Sequence, residues 1–244
     1  MRRADVMRRR FVEQPIPLQI NDCVLWLDAD SINQSDNTIV ELWNDKSGSG
    51  NHFDAVSGNE PKFFESGFNS KPSVYFNGLN QFLKIDSSII FPKTSDFTII
   101  AVINHDQTPN GDDRVIWGTG INPNDRTYMY STTTFGSAND EQRLWASNNA
   151  QQLVWGADIR GLKTIQHVSR NGNNFSLFNN GSLTHEISLD RTFTDYSRFE
   201  LGAGFADSRF YAGYVSEFLI YHKSISGDER NVLNEYLTGK WAIE

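Results

Sequence analysis

The side chains best suited to chemistry in this chain are aromatic rings and amides. Over 142–147, strict alternation puts Arg143 and Trp145 opposite Leu144, and Tyr128 and Tyr130 share one face of their own strand. A core-facing Leu144 turns Trp145 and Arg143 outward. Sugars lay their C–H faces on such rings while polar groups take the hydroxyls, so Trp145, Arg143, Tyr128, Tyr130, Asn148 and Asn149 form the candidate ligand-binding set. The competing role for the same rings is to fill a sandwich or a subunit interface, since the chain holds 17 Phe, 6 Trp and 8 Tyr.

Other chemistry is poorly served. Glu186 and Asp190 are the best-spaced carboxylates, yet four strand positions span about 13 Å at Cα, whereas a retaining glycosidase needs carboxyls about 5–5.5 Å apart. No catalytic residue is expected. His52, His105, His167, His185 and His222 lack metal-ligand spacing and read mostly as turn or strand surface residues. Cys23 reads as a small buried hydrophobe, Gly202-Ala203-Gly204 opens no helix, and Glu217 reads as a satisfied interior carboxylate.

These residues need a β scaffold. At 244 residues, 38% hydrophobic and 21% charged, the chain suits one globular body able to bury about 70–75% of its unfolded surface. From Cys23 on, short apolar stretches alternate with Asn, Gly, Asp and Ser. That pattern predicts strands near 23–28, 39–44, 73–77, 81–86, 97–105, 114–118, 127–135, 142–147, 152–155, 162–170, 174–178, 183–188, 198–203 and 209–222. Asn171-Gly172-Asn173-Asn174 and Asn179-Asn180-Gly181-Ser182 mark two adjacent hairpins, hence an antiparallel meander. Phe97–Ile103 and Val215–Tyr221 are apolar on both faces, so a helix or the N-terminal segment must cover the second face of each. The helix is marked by the capping box Ser226-Gly227-Asp228-Glu229, by the stripe Val232, Leu233, Tyr236 and Leu237, and by Gly239 as its stop.

Residues 1–22 stand apart as an extended arm, with Pro15-Ile16-Pro17 barring a regular helix. Arg2, Arg3, Arg8, Arg9 and Arg10 face only Asp5 and Glu13 within the first thirteen residues, against −8 for the whole chain. Those arginines and Phe11 are the candidate docking residues for an acidic partner surface, and the sandwich is assigned to 23–244. The acidic balance excludes nucleic acid as the main partner. No apolar run approaches the ~18–20 residues of a membrane span, and residues 1–11 lack the apolar stretch of a secretion signal. A single cysteine allows no internal disulfide.

Leu25–Asp30 (LWLDAD), Trp43–Phe53 (WNDKSGSGNHF), Val74–Leu83 (VYFNGLNQFL) and Gly213–Trp241 carry a resemblance to the laminin-G-like branch of the concanavalin A-like lectin and glucanase superfamily, over about residues 24–244. The resemblance implies an all-β antiparallel jelly-roll sandwich with one C-terminal helix. It also implies glycan-binding or adhesive modules of bacterial surface proteins and tailed-phage virions. In the glucanases a Glu-x-Asp-x-Glu strand carries catalysis; Glu186–Asp190 lacks the middle acid and ends on the shorter one. The Trp43–Phe53 block reads first as a structural turn. Its rival is a structural calcium site on Asp28, Asp30 and Asp45, as many relatives bind that ion. No other cofactor is expected. The combined expectation is a non-enzymatic virion protein, a capsid decoration, baseplate or fibre component assembled in the host cytoplasm. Its arm docks on other virion proteins, its sandwich is open to cell-surface glycans, and self-association is a further candidate contact. The alternative is a bacterial surface or exported carbohydrate-binding module, and the third class is a glucanase-type hydrolase.

Overall fold

The computed structural model describes residues 14–87, 96–106, 114–122, 125–132, 141–146, 152–155, 159–190, 198–204 and 209–244. Two antiparallel sheets face each other. The nine-stranded sheet runs β15 (Ser182–Ser188), β14 (Asn174–Asn179), β13 (Lys163–Asn171), β8 (Phe97–His105), β17 (Ala212–Tyr221), β6 (Lys71–Asn77), β5 (Lys62–Phe68) and β2 (Thr38–Ile39). β1 (Cys23–Asp28) pairs with the second half of β17, end to end with β6. The eight-stranded sheet runs β12 (Gln152–Trp155), β11 (Glu141–Ala146), β10 (Asp125–Thr132), β9 (Arg114–Asn122), β16 (Phe199–Leu201), β7 (Leu83–Ile85), β4 (Phe53–Ala55) and β3 (Leu42–Trp43). This is the expected antiparallel jelly-roll sandwich. Phe199 of one sheet joins the two layers, 5.8 Å from Trp117, 6.0 Å from Phe53 and 6.1 Å from Phe218 of the other sheet. Each such ring withdrawn from water contributes about 1.5–3 kcal/mol.

Both expected hairpins form. Gly172 takes φ 60°, and Asn180 and Gly181 take 49° and 79°, the paired positive angles that match strand twist. The two-faced apolar strands β8 and β17 lie side by side at the centre of the larger sheet. Their inner faces meet the other sheet; α2 (Gly227–Trp241) covers the outer face with Leu233, Leu237 and Trp241, all buried. Ser226 and Glu229 form the capping box in both directions.

Three expectations are corrected. β4 and β5 were not foreseen: Glu65-Ser66-Gly67 breaks the alternation of β5, because its register slips between Phe64 and Phe68. α2 continues through Gly239 and stops at Ala242, whose φ is 51°, because Lys240 and Trp241 are held to the sheet and keep the last turn wound. The last part of the arm is not extended. Ile16–Gln19 form one helical turn, α1, and Ile20 is buried in the core at 5% exposure. The Tyr221 hydroxyl donates to the Pro17 carbonyl at 3.1 Å, and Ile16 and Leu18 pack on the protein's own core, which offers apolar area close at hand. Arg2, Arg3, Arg8, Arg9, Arg10 and Phe11 lie outside the described residues.

Candidate functional site

The face of the eight-stranded sheet that points away from the core carries a continuous cross-strand row. In register, Trp145 of β11 pairs with Tyr128 of β10, Tyr128 with Gly118 of β9, Gly118 with Glu200 of β16, Glu200 with Lys84 of β7, and Lys84 with Asp54 of β4. The alternating row, Leu144, Met129, Trp117, Leu201 and Leu83, is fully buried, which fixes the first row as the non-core one. Six strands at about 4.8 Å spacing make it about 24 Å long. Arg143 pairs with Tyr130 one step along. Four of the six candidate residues are thus cross-strand neighbours by backbone register. Asn148 and Asn149 lie outside the described residues.

Glu200, like Lys84 and Asp54, is a member of this row that sequence reading missed. The segment Phe199-Glu200-Leu201 looks like any half-polar strand, and only the sheet places its carboxylate two strands from Tyr128. Glu200 is 2% exposed and ion-paired to Arg198 Nε at 2.8 Å, and the Arg198 guanidinium sits 5.6 Å over the Phe82 ring. Glu200 is thus a buried carboxylate paired with arginine in the same cross-strand row as Tyr128.

Of the carboxylates weighed for catalysis or calcium, Glu186, Asp45 and Asp28 have other partners. Glu186 is exposed on the edge strand β15, accepts from Ser176 Oγ at 3.2 Å, and Asp190 lies past the end of that strand. Asp45 accepts four donors: the Trp26 and Ser47 amides on Oδ1 at 2.9 and 2.8 Å, and the Ser47 hydroxyl and Asn51 amide on Oδ2 at 2.8 and 3.0 Å. With Gly48 and Gly50 at φ 89° and 76°, this welds the Trp43–Phe53 turn to β1. Asp28 is held by Lys46 at 2.6 Å and Lys240 at 2.7 Å, and Asp30 is exposed. Among the described residues no group of three or more acidic, imidazole or thiol side chains is gathered to hold a metal ion.

Glu217 is satisfied, as its setting in β17 implied: Oε1 accepts from the Trp26 indole at 2.7 Å, and Oε2 from the Trp241 indole at 2.6 Å and Lys240 at 2.9 Å. Burial pushes the Cys23 thiol up to about 12, with Asp45 adding to it, so it stays protonated and inert. His105 and His167 depart from the surface placement expected of them. Both are buried, His105 stacked on Tyr211 at 5.3 Å and His167 against Phe178 at 5.0 Å.

No family model matches the chain, and no curated protein sequence matches it. Among solved structures it is similar to domain 4 of AbnA, a GH43 extracellular arabinanase from Geobacillus stearothermophilus, in complex with arabinotriose. That likeness has a TM-score of 0.61 at 14% identity, over 87% of this chain and 98% of that one. It is similar to Trypanosoma rangeli sialidase in complex with sialic acid at TM-score 0.64 and 14% identity, over 93% of this chain and 34% of that one. A third likeness is to botulinum neurotoxin type C, whose cell entry depends upon interaction with two ganglioside molecules, at TM-score 0.60 and 13% identity over 88% and 51%. The chain spans about a third of the sialidase and about half of the toxin chain. At these identities the likeness defines a fold class: a β-sandwich domain with a helix on one sheet.

Proposed function

We propose that the protein is a non-enzymatic glycan-binding module that presents the non-core face of its eight-stranded sheet to cell-surface carbohydrate. The row Trp145–Tyr128–Gly118–Glu200 carries this reading, because strand register lines up two ring positions across the sheet. The likeness to an arabinotriose-bound domain supports a saccharide ligand. The setting belongs to the proposal too: a phage virion accessory protein, docked on other virion proteins through the basic residues 1–13. Their charge, opposite to that of the chain as a whole, supports an acidic partner. A bacterial surface module would use the same face. The likeness to a sialidase favours a second reading, hydrolysis.

The test is a glycan array followed by titration. Trp145→Ala is expected to weaken binding by about 1–3 kcal/mol with little change in melting temperature. An array without hits overturns the lectin reading. Reducing ends released from arabinan, laminarin or sialyllactose, and lost in Glu200→Gln, would establish the hydrolase instead.

A further inference from the structure

The helix leaves one corner of the nine-stranded sheet open. Beneath α2, Leu219, Ile100 and His167 form a buried cross-strand row. Four residues further along β8 and β13, hence on the same face, lies the row Lys62–Tyr75–Tyr214–Asn104–Lys163, joined in register across β5, β6, β17, β8 and β13. None of its five members is buried. Their inward neighbours Val74, Val215 and Ile103 are fully buried, so the sheet there has a dry side and an open side.

The open side is built from rings. Tyr75 and Tyr214 lie 4.8 Å apart, and half-buried Phe64 sits 6.0 Å from each, edge-on. A Cβ on Gly67 would fall 2.8 Å from the Tyr214 ring; its absence lets that ring seat on the β5 backbone, ordered before a ligand arrives. The Tyr75 hydroxyl donates to Asp106 Oδ2 at 3.1 Å, placing a half-exposed carboxylate at the ring edge. Lys62 donates to Asn37 at 3.0 Å and Lys163 to Asn69, so both ammonium groups are steadied at the ends of the row.

We infer that this strip, Tyr75 and Tyr214 flanked by Asp106, Asn104 and Lys62, is a second carbohydrate-binding site, taking a short oligosaccharide laid across the strands. Two close-set, mutually tilted rings edged by a carboxylate, an amide and an ammonium match alternating C–H faces and hydroxyls. A cationic ligand meets a lysine at either end, and a purely apolar partner would strand the polar edge. Five strands give about 19 Å, the reach of a short oligosaccharide. The ligand class rests on the glycan-binding reading above; the location does not.

The test is calorimetric titration of the full chain with arabinotriose, cellotetraose and 3′-sialyllactose. The expected result is two sites per chain for at least one probe. Tyr214→Ala weakens one site about tenfold, about 1.4 kcal/mol, and Trp145→Ala weakens the other. Tyr214→Phe retains the ring and binds within about threefold of wild type. Asn104→Ala weakens the Tyr214 site while leaving every ring in place, which covers the case of a Tyr214→Ala chain that fails to fold. A single site indifferent to both Tyr214→Phe and Asn104→Ala and lost in Trp145→Ala overturns this inference alone. Binding lost in Asn104→Ala and indifferent to Trp145→Ala upholds it and overturns the other face. No binding of any probe overturns both.

Discussion

The Glu217 carboxylate, at zero exposure inside β17, accepts a 2.6 Å hydrogen bond from the Trp241 indole in the last turn of α2. It is the centre of a chain in which Trp26 and Lys240 also donate to Glu217, Lys240 bridges to Asp28, and Lys46 closes the far side. Helix, β17 and β1 are thereby tied through one buried charge.

Removing that charge leaves two buried indole donors without their acceptor and takes one of its two carboxylates from Lys240. Glu217→Ala is expected to lower the unfolding free energy by about 3–5 kcal/mol, read by denaturant titration. The double variant Glu217→Leu/Lys240→Met should recover part of the loss. A change within experimental scatter for Glu217→Ala would mean the network adds nothing to the fold.

The same network predicts alkaline weakening. Burial pulls the Lys240 ammonium down, but Glu217 and Asp28 more than offset it and hold the group above its usual 10.5. A raised folded value means its stabilisation is complete below about pH 10.5 and is lost as pH climbs beyond. Burial pushes Tyr236 up to about 12, which acts in the same direction. Unfolding measured from pH 8 to pH 11.5 should therefore slope downward above pH 10, and less steeply in Lys240→Met.

His167 sets an acid limb. Burial, with Arg230 nearby, lowers it from 6.5 to about 3, so the folded ring is neutral and the unfolded one takes up a proton first. Stability is full above about pH 6.5 and falls as pH drops toward 3. His167→Phe should flatten that limb of the melting-temperature profile; an unchanged profile would assign the acid loss to other groups.

The described end of the N-terminal segment belongs to the fold. Deleting 1–20 removes buried Ile20 and the Pro17 carbonyl that accepts from the Tyr221 hydroxyl, and should lower the melting temperature. Ile20→Ala alone is expected to cost about 2–5 kcal/mol. An unchanged melting temperature in that truncation would return α1 to the role of a dispensable tether.

What the sequence determined by itself was local. Asn180-Gly181 and Gly172 announce their turns because few other residues tolerate positive φ, and Ser226 with Glu229 announces a helix start because both partners of the box lie within four residues. Alternation located most strands, and a lone acid in apolar β17 implied a partner. What only the tertiary structure decided was lateral. The bulge in β5 erased its period, Ala242 stops α2 because the sheet holds Lys240 and Trp241, and Ile20 is buried because its cover lies about two hundred residues away. Trp145, Tyr128, Glu200 and Lys84 become one line, and Tyr75 and Tyr214 one platform, solely through strand pairing. Periodicity tells which face a residue shares with its strand neighbours; register across strands depends on the summed burial of the whole core, to which every distant segment contributes.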